Sequence, residues 1–176
     1  MPEPPFDPTG AVTFDLASGQ VHLGGDAPLR VLVPADALAA LSVAAGAQAT
    51  AALGEALGAP MGKRVARRLS AGGGDARRST IEAVVEHLGG ELALAGLGTL
   101  GAERWGRALV LVVDQSPFGA AGDVLTAAVL QAALAAAGGQ SVTCVPLSRD
   151  SARARHLVAS NAGADKARSL LEAGTP

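Results

Sequence analysis

The spacing of hydrophobic positions changes along the chain, and these changes divide its first third into strands and helices. Residues 11–25 alternate between apolar and polar around Ser18–Gly19, which predicts a β-hairpin. Residues 30–34 predict a short strand that ends at its proline. Over 35–57 the leucines and valines recur at helical spacing, and Gly46 is the predicted break in that helix.

The rest of the chain continues as a mixture of helices and strands. A predicted helix over 61–69 precedes the glycine-rich loop 70–78, and Ser79-Thr80-Ile81-Glu82 forms a capping box that starts another helix, ending at Gly89–Gly90. The remaining predicted elements are strands near 91–97, 107–114, 140–147 and 154–160 and helices over 123–137 and 164–172. We therefore predict one α+β domain over residues 11–176, preceded by a flexible proline-rich arm at 1–10.

The sequence "GLGTLG" at 96–101 has the glycine spacing of a dinucleotide-binding turn, and an apolar strand ending in Asp114 follows it. Such a turn must open a helix whose amide groups hold the pyrophosphate. Only "AERWG" separates Gly101 from the next strand, whereas a parallel crossover takes a dozen or more residues. The glycines therefore favour a loop between two antiparallel strands.

A second partial motif, "GAPMGKR" at 58–64, lacks two features of a phosphate-binding P-loop. It has three residues between its glycines where that loop needs four, and Arg64 replaces the metal-binding hydroxyl. It is predicted to connect two helices. The cations of 62–68 are predicted to form a solvated helix face, with contact to a phosphate as the alternative.

Composition limits the classes of function. Hydrophobic residues make up 49% of the chain but aromatic residues only 2%, so Ala, Val and Leu must form the core. The formal net charge is −2 and the basic residues are scattered, which does not favour nucleic-acid binding. The N-terminus lacks the pattern of a signal peptide, no uninterrupted apolar segment suggests a membrane span, and we expect a cytoplasmic protein.

Candidate chemical groups are few. His22, His87 and His156 fall on different predicted elements without ligand spacing, and the single cysteine, Cys144, excludes an internal disulfide. Cys144 is predicted to be a buried, inert thiol, with a reactive thiol as the alternative. For His156 we favour a hydrogen-bonded structural histidine over a ligand contact. No catalytic residue, cofactor or metal is predicted.

Several segments resemble known families. The run "FDLASGQVHLGGDAPLRVLVPADALAALSVAAG" is similar to the N-terminal part of aromatic-compound sensor domains in bacterial transcriptional activators, and Leu53-Gly54 and Leu57-Gly58 match the Leu-Gly steps of that family. "LVLVVDQSPFG", "DVLTAAVLQAALAAAGGQSVTC" and "ARHLVASNAGADKARSLLEAG" resemble the 4-vinyl reductase domain. The similarity covers most of residues 11–174 and is one of pattern.

The resemblance implies a fold with helices packed on one face of a twisted, mainly antiparallel sheet, as in TRAPP vesicle-tethering subunits. It also implies a homodimer in the cytoplasm. Many vinyl-reductase domains carry two cysteines that can bind zinc. Leu147 and Ala154 occupy those positions here, and His156 replaces a neighbouring aromatic residue, so the metal is not expected.

Two functions remain open. The first is a non-catalytic module that senses a small hydrophobic molecule held between helices and sheet, with Trp105, Phe118 and His156 as candidate ligand contacts and Trp105 as a lid. For each of them a core or surface role is the alternative. The second is a dimeric assembly adaptor without a ligand, which the scarcity of aromatic residues favours. A reductase role in tetrapyrrole synthesis is a weaker third hypothesis, because no cofactor site is visible.

Overall fold

The computed structural model describes residues 11–23, 30–71, 78–150 and 153–174. The arm predicted at 1–10 and most of the glycine-rich loop lie outside these ranges. The elements follow one another as β1 (Val12–Asp15), β2 (Gln20–Leu23), α1 (Ala35–Ala71), α2 (Ile81–Leu94), β3 (Thr99–Trp105), β4 (Ala108–Asp114), a short 3₁₀ turn (Gly119–Gly122), α3 (Asp123–Gly138), β5 (Thr143–Asp150), β6 (Arg153–Ala159) and α4 (Asn161–Glu172).

The strands form two antiparallel sheets, which confirms the α+β prediction. β1 and β2 make the predicted hairpin, with Gly19 at φ +68° in its turn. The main sheet has the order β3-β4-β6-β5 with every pair antiparallel. β3 and β4 pair from Thr99 opposite Asp114 to Trp105 opposite Ala108, so the chain doubles back directly and leaves no room for a nucleotide-binding crossover.

Two predicted boundaries around the "GLGTLG" segment are wrong. The strand expected near 91–97 does not form, because α2 continues through Gly89–Gly90 to Leu94. Glu91 and Leu92 are fully buried in that last turn, and their packing outweighs the low helix propensity of the two glycines. Gly96, at φ +70°, follows the helix end, so the first glycine of the motif lies in a helix-to-strand connection.

The N-terminal helical region also differs from its prediction. α1 breaks at Gly46 as expected, with φ 82° and ψ 170°, but it then continues through Pro60 without the predicted connection at 58–64. Residues 31–34 form no strand, because the only described pairing there is a bridge between Arg30 and Val21. α4 begins at Asn161, three residues before the predicted start, with the Ser160 hydroxyl accepting from the Gly163 N–H.

Three glycines allow α1 to lie directly against the backbone of α3. Gly54, Gly58 and Gly62 recur every fourth residue, so they share one helix face. A Cβ atom added at Gly58 would lie 2.2 Å from the Val129 carbonyl oxygen, and one at Gly62 would lie 2.1 Å from that of Ala133. Neither distance is possible for a real side chain, so this contact requires glycine.

The core lies between the main sheet and α1, α2 and α3, while α4 packs against β5 and β6 outside it. Its fully buried side chains include Val65 and Leu88 from α1 and α2, Leu111 from β4, and Leu130 from α3. The core of the described chain is thus aliphatic, with Phe118 as its single aromatic member. The three core helices therefore agree with the predicted packing on one sheet face, while α4 lies outside that layer.

Two stretches, α1 and Gly119–Gly138, are long and apolar enough to cross a membrane. The core helix of a soluble protein meets the same criteria, and 56% of the apolar window in Gly119–Gly138 is buried inside the fold, against 17% of that in α1. Length and composition are therefore weak evidence for a span here.

We expect Gly58→Ala to lower the free energy of unfolding by about 1–3 kcal/mol, because the added methyl group must push the two helices apart. At a helix position with free space around the glycine, a change to alanine would instead raise the free energy of unfolding by up to about 1 kcal/mol. Chemical denaturation followed by circular dichroism measures both effects.

Gly138→Ala is the matched control, since Gly138 ends α3 and no neighbouring atom lies within 4 Å of a Cβ atom added there. The Gly138→Ala change should leave the free energy of unfolding unchanged or raise it. Equal stability of the Gly58→Ala variant and the unmodified chain would show that the two helices do not require this close approach.

Candidate ligand-binding site

An apolar groove of about 570 Å³ opens between α1, the end of α2 and the segment 31–33. Leu53, Leu57 and Met61 supply one wall from α1 at successive four-residue steps, and Phe118 lies on another. The lining residues of the groove are Val31, Leu32, Val33, Ala35, Leu38, Leu53, Leu57, Met61, Ala93, Leu94, Ala95, Gly96, Leu97, Pro117 and Phe118. None of these described residues carries a charge, so the groove suits an apolar molecule.

A smaller cavity of about 200 Å³ adjoins the groove on the side of the β1–β2 hairpin. The two share six apolar lining residues, among them Leu57, Met61 and Leu94. Unlike the groove, the cavity also has basic lining residues, namely His22, Arg30 and Arg64. The combined space therefore has a long apolar part and a basic end.

Arg64 is held at the cavity wall by an ion pair buried beneath it. Its Nε and Nη2 atoms lie 2.7 and 2.6 Å from Oε2 of Glu91, whose side chain is fully buried. Arg68 approaches the other carboxylate oxygen at 2.5 Å. The prediction that 62–68 forms a solvated basic face is therefore wrong for Arg64 and Arg68, because Glu91 on α2 draws both into the fold.

The three candidate contacts named from the sequence lie in different places. Phe118 is buried and lines the groove. Trp105 is half exposed at the far end of β3, where its Nε1–H donates to Glu103 Oε2 at 2.9 Å. His156 lies in the middle of β6, opposite Leu111 and Pro146. The structure thus brings only Phe118 to the groove, because Trp105 precedes β4 and Phe118 follows the opposite end of that strand.

His156 is fully buried, and neither ring nitrogen has a hydrogen-bond partner within the described residues. The prediction of a hydrogen-bonded histidine is therefore wrong. Its strand neighbours Leu111 and Pro146 have apolar side chains, and the nearby Asp123 carboxylate is bound by Arg149 at 2.5 Å. Burial lowers the pKa of His156 to about 4, with the Arg149 charge lowering and the Asp123 charge raising that pKa.

Cys144 agrees with its prediction as an inert thiol. Its side chain is buried within the core, and burial raises the pKa of the thiol to about 12. The reactive form of cysteine is the thiolate, which is scarcely populated at neutral pH when the pKa is this high.

Sequence reasoning missed Arg30, Arg64 and Glu91. Arg64 and Arg68 have the spacing of one helix face, and Glu91 stands alone among apolar residues in the last turn of α2. An isolated acid in an otherwise apolar helix segment indicates a buried partner. That signal could have been read from the sequence, whereas the identity of the partner required the packing of α1 on α2.

Comparison with known proteins identifies the fold but no family. No family model matches the chain. No curated protein matches it either. Among solved structures, it is similar to the phenol-responsive sensory domain of the transcription activator PoxR, crystallised with phenol. The TM-score is 0.66 at 14% sequence identity, over 96% of this chain and 94% of that one. The chain therefore has the fold of a sensory domain.

Glu91→Gln should lower the free energy of unfolding by about 3 kcal/mol, because it removes the carboxylate charge that pairs with the buried Arg64 guanidinium. Glu86→Gln is the matched control on the same helix, where Glu86 is exposed. That control should unfold almost as the unmodified chain does. Urea titration of the three proteins measures the difference, and equal midpoints would argue against a buried, paired Glu91.

His156 should make the protein less stable in acid. An unfolded histidine gains its proton near pH 6.5, whereas the folded one gains it only near pH 4. The free energy of unfolding should therefore fall by up to about 1.4 kcal/mol per pH unit between these values, and this contribution levels off below pH 4.

Denaturation at pH 7 and pH 5 measures this loss. His156→Leu should remove it, while His22→Gln, which keeps the buried histidine, should retain it. An identical pH dependence of stability in His156→Leu and the unmodified protein would contradict the assignment.

Proposed function

We propose that this chain is a non-catalytic sensory module that binds a small hydrophobic molecule in the groove between α1, α2 and Phe118. The observation that supports this most strongly is an open groove with uncharged lining in a fold shared with a phenol-responsive sensory domain. A regulatory role follows from the same likeness. We further propose membership of the aromatic-sensor and 4-vinyl reductase group, and a cytoplasmic homodimer.

Two physical features suit the groove to binding. Its wall from α1 is anchored by the glycine contact with α3, so Leu53, Leu57 and Met61 are presented on a supported helix. Its opposite edge is the segment 31–33, which has no regular structure and leaves Val31 and Leu32 largely exposed. A bound apolar molecule would cover part of that surface, and the removal of this apolar surface from water would stabilise the complex.

The alternative is a dimeric interaction adaptor without a ligand. It is favoured by exposed apolar side chains on the first part of α1, where Leu41 is 61% and Val43 is 69% exposed. Exposed apolar side chains of this size are found on elements that another protein covers. The two functions differ in whether a small molecule occupies the groove, since the sensory module holds one there and the adaptor does not.

A binding assay separates them. We expect native mass spectrometry to detect a compound carried from the cell, or a panel of small apolar molecules that includes phenol to raise the melting temperature. Leu57→Trp should abolish the effect, because Leu57 lines both the groove and the cavity and a larger ring would fill them.

Leu171→Trp is the control, since it makes the same change on α4, away from the groove. An empty protein with no thermal response in any variant would contradict ligand binding. If sedimentation also showed a stable dimer, the adaptor would become the better description.

A further inference from the structure

The basic end of the smaller cavity contains a cation, Arg30, that has no counter-charge among the described residues. Arg30 lines the cavity, and its Nε and Nη2 atoms are buried without a hydrogen-bond partner in the described part of the chain. Its backbone N–H donates to the Val21 carbonyl at 2.9 Å, which holds this residue beside β2. Buried guanidinium donors cost free energy unless they are paired, so an acceptor is missing from this position.

The other charged groups on the cavity wall are also cationic. Arg64 places a guanidinium there, which is paired with Glu91. Arg30 adds another on the wall of the same cavity. Among the residues that the structure describes, the cavity lining includes no aspartate or glutamate. The potential inside it should therefore favour a negative group.

The two unpartnered donors indicate the shape of that group. Nε and Nη2 form one edge of the guanidinium, where two parallel N–H bonds match the two oxygens of a carboxylate. The rest of the cavity wall is largely apolar, with Val12, Val21, Leu23 and Leu94 among its members. A fully hydrated inorganic anion would have to give up its water against these residues, whereas an apolar acid would bury its hydrocarbon part there.

We propose that the preferred ligand is an apolar carboxylate, with its carboxylate on Arg30 in the cavity and its hydrocarbon part extending into the groove. This inference rests on the proposed function and specifies the chemical class of the ligand. The neighbouring Arg64 contributes to the positive potential while remaining paired with Glu91.

Benzoate and benzyl alcohol test the inference, because they share the ring and differ in charge. Calorimetric titration of the unmodified protein at neutral pH should show benzoate binding about tenfold more tightly than the alcohol. Added salt should weaken benzoate binding and leave the alcohol unaffected. Inorganic phosphate alone should not compete.

Arg30→Met should reduce the preference for benzoate to about one, while Arg107→Met, in the exposed β3–β4 turn, should keep it. Equal binding of the two compounds by the unmodified protein would overturn the carboxylate assignment and leave the proposed function standing. So would a preference for benzoate that survives Arg30→Met, or competition by phosphate. Binding of neither compound, with no thermal response to the apolar panel, would remove both proposals. The salt dependence needs no variant, so it decides the question even if Arg30→Met fails to fold.

Discussion

The close contact between α1 and α3 is the constraint on which the rest of the structure depends. Three glycines on α1 let its backbone approach the carbonyl groups of Val129 and Ala133 more closely than any side chain would permit. This contact supports a helix that contains Pro60, whose ring removes one helical hydrogen bond. It also fixes which side of α1 faces the core, and so directs Leu57 and Met61 into the groove.

The same geometry places the buried charges. With α1 held on α3, Arg64 faces α2, and the carboxylate of Glu91 lies between two arginines. A buried ion pair stabilises only modestly when intact but is costly to break, so arrangements of the helices that separate Arg64 from Glu91 are disfavoured. Arg64 thereby becomes part of the cavity wall next to Arg30. The helix packing therefore places the basic residue Arg64 together with Arg30 at the cavity end of the candidate site.

Much of the fold followed from local patterns. Turn chemistry, helix capping and chain length act over a few residues, and four features depend on them. These are the hairpin at Ser18–Gly19, the break at Gly46, the helix start after Thr80 and the direct antiparallel return from β3 to β4. The errors arose where distant contacts override such preferences. In the sequence, Gly89–Gly90 resembles a helix end and Pro60 resembles a connection between helices. In the structure both lie inside helices, because neighbouring elements pack against them.

The sequence by itself determined the classes of element, the aliphatic composition of the core, and the exclusion of a nucleotide crossover, because each depends on local spacing or on counts of residues. It also named Phe118 as a candidate ligand contact, and Phe118 lines the groove. Only the tertiary structure decided that Trp105 and His156 lie elsewhere and that Arg64 is buried against Glu91. It also decided that two guanidinium nitrogens of Arg30 have no hydrogen-bond partner among the described residues. Those facts depend on contacts between segments far apart in the chain, for which a single sequence carries no periodic signal.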